Sequence, residues 1–172
     1  MKTIFAAAAL SLGAVLSVPA SAQAPLEYDA NRIVEDVDLA EFRNLAAVLG
    51  FEVLEANESQ RPEVVLRSDS GRTFFLRGYV CNQNGGKAGC QGLLMFSRYN
   101  QPPGLTPAHV KKADDETVVV KVWLNSDDKV RIDRYMILDN GVTFGNLLEN
   151  IKVFLASNQK AVTTMVDATK GS

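Results

Sequence analysis

The chain has 172 residues, with 18 basic and 20 acidic side chains, a single His and 47% hydrophobic residues, so its net charge is only −2. So even a balance argues against nucleic acid or anionic lipid as a partner, because both demand a dense positive surface that displaces counterions. Two cysteines and one histidine fall short of the three or four ligands a zinc site needs.

Lys2 precedes an apolar run over residues 4–18 that closes in Pro19 and Ala20-Ser21-Ala22, the pattern of an export signal spanning residues 1–22. The run is 15 residues long and contains Ser11, Gly13 and Ser17. A bilayer span takes roughly 20 apolar residues, so no stable membrane insertion is expected. Cleavage after Ala22 would leave 150 residues, enough for one domain with a real core, in the periplasm or secreted from a bacterium. Residues 23–35 are polar, contain Pro25 and lack a period, which predicts a loose lead-in that adds little to the core; a single domain over 36–168 follows.

Asp38 is placed to cap a first helix, with Glu41 completing a capping box. Leu39, Phe42, Leu45 and Leu49 fall on one face, and Gly50 supplies the left-handed residue that ends it. The period then becomes two: short strands around Phe51–Val53 and over 64–67, a Ser68-Asp69-Ser70-Gly71 turn, and longer strands over 73–81 and 90–99. Thr106 as cap and Pro107 at the first position predict a short helix fading near Asp114, with Leu105 stapled onto Val110. Residues 117–124 read as a strand apolar on much of both faces, and so as central in a sheet, paired through Asn125-Ser126-Asp127-Asp128 with a strand over 130–138. Thr143 caps a last helix with an apolar stripe of Phe144, Leu147, Leu148, Ile151, Phe154 and Leu155. Its continuation, rich in β-branched residues, is expected to fray or to lie against a partner through Val162, Met165 and Val166. The order is α-β-β-β-β-α-β-β-α, an α+β fold with an antiparallel sheet packed by helices.

Cys81 and Cys90 stand at the base of a predicted hairpin, where cross-strand residues come close enough to bridge, and export favours their oxidation. A bridge there closes a loop of 10 residues, and chain entropy values that closure at about 2.7 kcal/mol. A redox pair would more usually be spaced Cys-x-x-Cys.

Several features together resemble the YbjN-domain proteins, in particular their small exported bacterial members. They are the junction at Gly50-Phe51, the Cys81 and Cys90 pair followed by Leu93, Met95 and Phe96, and Asp139-Asn140-Gly141-Val142-Thr143 before an amphipathic helix. The resemblance runs over roughly residues 36–155. It implies a fold similar to type III secretion chaperones and a regulatory or interaction role with no known reaction, so it carries over no catalytic residue.

The residues themselves define no reaction centre. His109 has no nucleophile elbow to serve and reads as a helix-surface residue. Gly85-Gly86-Lys87 lacks the first Gly and the Ser or Thr of a phosphate loop and reads as a hairpin tip. The clusters Asp114-Asp115-Glu116 and Asp127-Asp128 read as solvated junctions, since neither has the ligand spacing of a calcium loop. No catalytic, metal or cofactor residue is therefore assigned. Strands apolar on both faces need a cover on each. The expected function is a non-catalytic module that binds a protein partner or a second copy, with Val119, Trp123, Tyr135, Val162, Met165 and Val166 as the candidate surface. The alternative is a small-ligand binder or weak hydrolase with a pocket between sheet and helices and His109 or the acidic junctions at its rim.

Overall fold

The computed structural model describes residues 28–58, 61–82 and 89–170; the predicted signal and the Gly85-Gly86-Lys87 tip lie outside them. The elements run β1 (Ile33–Val34), α1 (Leu39–Leu49), β2 (Glu52–Asn57), β3 (Glu63–Arg67), β4 (Thr73–Cys81), β5 (Cys90–Tyr99), α2 (Pro107–Glu116), β6 (Lys121–Leu124), β7 (Val130–Ile137), β8 (Val142–Thr143) and α3 (Phe144–Lys170). Six strands form one antiparallel sheet in the order β2-β3-β4-β5-β7-β6, and β1 pairs with β8 apart from it. The fold is α+β, in the predicted element order with two short strands added.

Local signals place the helices. Asp38 accepts the Glu41 N–H at 2.7 Å, and Gly50 ends α1 at φ 71°. Thr106 and His109 cap α2 reciprocally, and Thr143 accepts the Asn146 N–H at the start of α3.

Antiparallel partners share a face, so the register assigns each strand residue to one side of the sheet. Val64, Leu66, Phe74, Leu76, Leu93, Met95, Val122, Val130 and Ile132 point to the side covered by helices. They join Phe42, Leu45, Val110, Leu147, Ile151 and Phe154 in one buried cluster. A polar seam crosses it. Asn158 is buried, accepts the Tyr99 hydroxyl at 2.9 Å and donates to the Ser97 hydroxyl at 2.7 Å, which fixes the rotation of α3 over β5.

Four expectations are corrected. The described part of the lead-in is structured: β1 pairs with β8, Val34 is buried, and Tyr28 packs edge-on against Phe144. The segment over 117–124 is a strand only from Lys121, and β6 is an outermost strand rather than a central one. Its first residues are captured elsewhere: the Thr117 hydroxyl donates to the Ala113 carbonyl, and Thr117 N–H donates to that of Asp114. Finally, α2 runs on to Glu116, and α3 does not fray but continues as one helix to Lys170. Lys160 and Thr164 bond Glu116 on α2, which brings Ala161 and Met165 into the core beneath it.

Candidate interaction surface

None of the three described helices lies on the opposite side of the sheet. The register places Val65 on β3, Phe75, Arg77 and Tyr79 on β4, and Gly92, Leu94, Phe96 and Arg98 on β5 there. They are joined by Arg131, Asp133, Tyr135 and Ile137 on β7 and by Lys121 and Trp123 on β6. Leu94 and Phe96 are buried yet stand apart from the main core. Their cover is arginine.

Phe75 and Phe96 stack with ring centroids 4.6 Å apart and planes within 7°. The guanidinium of Arg131 lies 4.4 Å from the Phe96 centroid, that of Arg77 4.9 Å and that of Arg98 5.1 Å, all inside cation–π range. Arg98 also lies over Phe75 and Arg131 over Trp123, while Arg61 stands over Tyr79. The guanidinium groups themselves lie over the rings, where their weak hydration lets them shelter the apolar surface. Glu63 pairs with Arg77 and Asp133 with Arg131, so two of the guanidiniums are held in place from the side. Burial works against the Arg77 charge, but hydrogen bonds with Glu63 and Tyr79 outweigh it and raise the pKa further.

Two glycines let this architecture close. At Gly78 a Cβ would sit 2.5 Å from the Cys90 sulfur and 3.1 Å from Pro62, so the bare backbone makes room for the disulfide. At Gly92 the Tyr135 ring end lies directly over the backbone, where any side chain would collide with its hydroxyl. Cys81 and Cys90 are disulfide-bonded and directly paired across β4 and β5.

Of the residues singled out in the sequence, Trp123 and Tyr135 lie on this open face, and Val119 sits beside its edge in the turn before β6. The helical half of that set is corrected. Met165 is buried, and Val162 is partly buried against the same core, because α3 uses that stripe to pack the domain; Val166 is half-buried one turn on. His109 caps its own helix. Asp114 accepts the Val122 N–H at 2.7 Å, Asp115 pairs with Lys111, and the Asp127 carboxylate accepts the side-chain amide of Asn125, which caps the turn, so these carboxylates brace junctions. No group of three or more metal-type ligands occurs among the described residues. No described helix is long and apolar enough to cross a membrane. The four arginines were missed because alternation shows which side a residue faces but not that its guanidinium lies over a neighbouring ring.

No family model and no curated protein sequence matches the chain. Two solved structures share its fold. An uncharacterized protein from Methanothermobacter thermautotrophicus superposes with a TM-score of 0.54 at 11% identity, covering 77% of this chain and 99% of its own. YbjN from E. coli, described as a candidate transcription regulator, superposes with a TM-score of 0.51 at 16% identity, covering 81% of this chain and 96% of its own. The chain thus has a YbjN-like fold, as the sequence resemblance implied.

Proposed function

We propose that this chain is an exported, non-catalytic module that binds another protein through the open face of its sheet. One observation carries the reading: a six-stranded sheet whose uncovered side is built of stacked aromatic rings under arginine heads. Aromatic residues and arginine are the types enriched where protein interfaces lose their water, and here they are already ordered. A cover made of single arginine side chains can be displaced by a partner that replaces its contacts, whereas a packed helix cannot. The likeness to YbjN in fold is in keeping with a regulatory or interaction role, and the disulfide suits an oxidising compartment.

Photo-crosslinking tests this in the exporting cell. A benzophenone side chain at Tyr135, on the open face, should yield a discrete adduct that Arg98→Glu with Arg131→Glu abolishes. The same probe at Val153, on the exposed side of α3, should yield none. Equal labelling from both positions, or none from either, would remove the reading.

A further inference from the structure

One edge of the sheet is left half open. β6 pairs only with residues 130–133 of β7, and among the described residues no strand pairs with residues 134–137 on that side. The direction of the free groups follows from two hydrogen bonds. The Val122 N–H turns away from β7 to Asp114, so Lys121 and Trp123 are the residues of β6 that face β7, opposite Asp133 and Arg131. Leu138, by contrast, donates its N–H to Gln91 on β5. With a period of two, the N–H and C=O groups of Tyr135 and Ile137 point out of the open edge.

The far edge of the sheet is defended. β2 carries Glu52, Glu55 and a register irregularity, devices that discourage strand addition. The β7 edge shows Tyr135, Met136 and Ile137, with Ile137 66% exposed and Val118 97% exposed beside it. A cavity of about 630 Å³ lies along it, lined by residues 117–121 together with Leu94, Asp114 and residues 133–135.

Charge and direction then select the occupant. Of the two acids of the cavity, Asp133 is ion-paired with Arg131 and bonded by the Trp123 indole, while Asp114 accepts the Val122 N–H and keeps its charge, so that Lys121 and Arg134 together leave the cavity positive on balance. The cations are not neutralised: Lys121 has no carboxylate partner among the described residues, and Arg134 meets only the Val119 carbonyl and the Asn150 amide, with its buried Nε unpaired. A strand added antiparallel to β7 lies in line with β6 and runs toward Lys121, where β6 already fills the next position, so it must end there. The end it presents is a carboxylate. A parallel strand would present its ammonium end to the same two cations.

Resting on the protein-binding role proposed above, we propose that the β7 edge captures the C-terminal peptide of its partner as an added antiparallel strand. Main-chain bonds form at Tyr135 and Ile137, and the terminal carboxylate meets Lys121 on the open side of the edge, with the positive charge of Arg134 on the helix side adding to the attraction. Main-chain pairing gives such capture its affinity, and alternate side chains give it selectivity.

The probe is a library of acetylated heptapeptides, offered to the oxidised protein as C-terminal carboxylates and as C-terminal amides. Retained sequences should be carboxylates with apolar residues at alternate positions, and their amides should bind at least tenfold more weakly. Ile137→Pro should abolish binding, because it removes an N–H that faces the free edge and that β5 does not use; Lys121→Glu, a surface change, should weaken it at least tenfold. The idea fails if no carboxylate is retained, if amides bind equally, or if both variants bind as the parent does. It also fails if Ile137→Pro abolishes only a concentration-dependent dimer, which would make the occupant a second copy. A Tyr135 adduct that survives Arg98→Glu with Arg131→Glu, alongside carboxylate-selective peptide binding, would count against the open-face reading alone. The converse pattern would count against the edge.

Discussion

The two faces of the six-stranded sheet are closed by different physics. On one side hydrocarbon meets hydrocarbon: Phe74 and Leu76 pack beneath α1 and α3 together with Phe154, all fully buried. On the other side Phe96 is just as buried, but beneath three guanidiniums rather than a helix. The first arrangement is bought with the ordering of whole helices and holds the fold. The second needs only a few long side chains held across rings, can be undone without unfolding anything, and leaves a charged outer layer that keeps the apolar layer from being an exposed patch. Burial alone therefore does not distinguish a core residue from one waiting under a removable cover.

That contrast makes unequal predictions. Phe154→Ala, on the helix side, should lose about 3–5 kcal/mol, since α3 spans the sheet and cannot collapse into the gap. Cys81→Ser should come next, at about 2–4 kcal/mol, by freeing the closed loop in the unfolded chain. An unchanged melting point in the oxidised protein would show the bridge to be idle. Phe96→Ala should lose about 1.5–3 kcal/mol, the transfer cost of the ring, because water can enter a gap whose lid is made of side chains. Urea unfolding of the three variants gives the order. A Phe96→Ala loss equal to that of Phe154→Ala would mean the arginine cover is as rigid as the helices, and the contrast would fall.

What was legible in the sequence was what short-range chemistry decides. Asp38, Gly50, Thr106 and Thr143 sit within four residues of the groups they cap, and the cysteines sit at paired positions of one hairpin. What was not legible depends on distant partners. Ile33 and Val34 become a strand only because Val142 and Thr143 lie opposite. Residues 117–120 have the composition of a strand, but the Thr117 hydroxyl and N–H bond back to the Ala113 and Asp114 carbonyls at the end of α2, which leaves the β7 edge bare. Met165 looked like surface because its neighbours Thr163, Thr164 and Val166 favour strands, while the decisive fact was α2 lying across it through Lys160 and Glu116. Two of the six residues chosen for the surface, Trp123 and Tyr135, lie on the open face because strand alternation put them there; the arginines over the rings left no periodic trace.

The smallest effect separates charge from stacking in that cover. Arg131 places its guanidinium over Phe96 and Trp123 and pairs with Asp133 at 3.2 Å. Arg131→Lys keeps a positive charge for Asp133 but loses the plane, and should cost about 0.5–1 kcal/mol. Arg131→Met keeps an apolar stem and loses both, so it should cost somewhat more, because Asp133 is then left with the Trp123 indole alone. Thermal unfolding at low salt and at about 1 M, where the screening length falls to about 3 Å, tells the contributions apart. The Lys cost should persist at high salt, because a ring sheltered from solvent is not screened, while the extra cost of Met should shrink as the ion pair weakens. If the Lys cost vanished with salt instead, the guanidiniums would be held over Phe96 by their carboxylates rather than by the ring, and a partner would need to compete with ion pairs rather than with stacking to open the face.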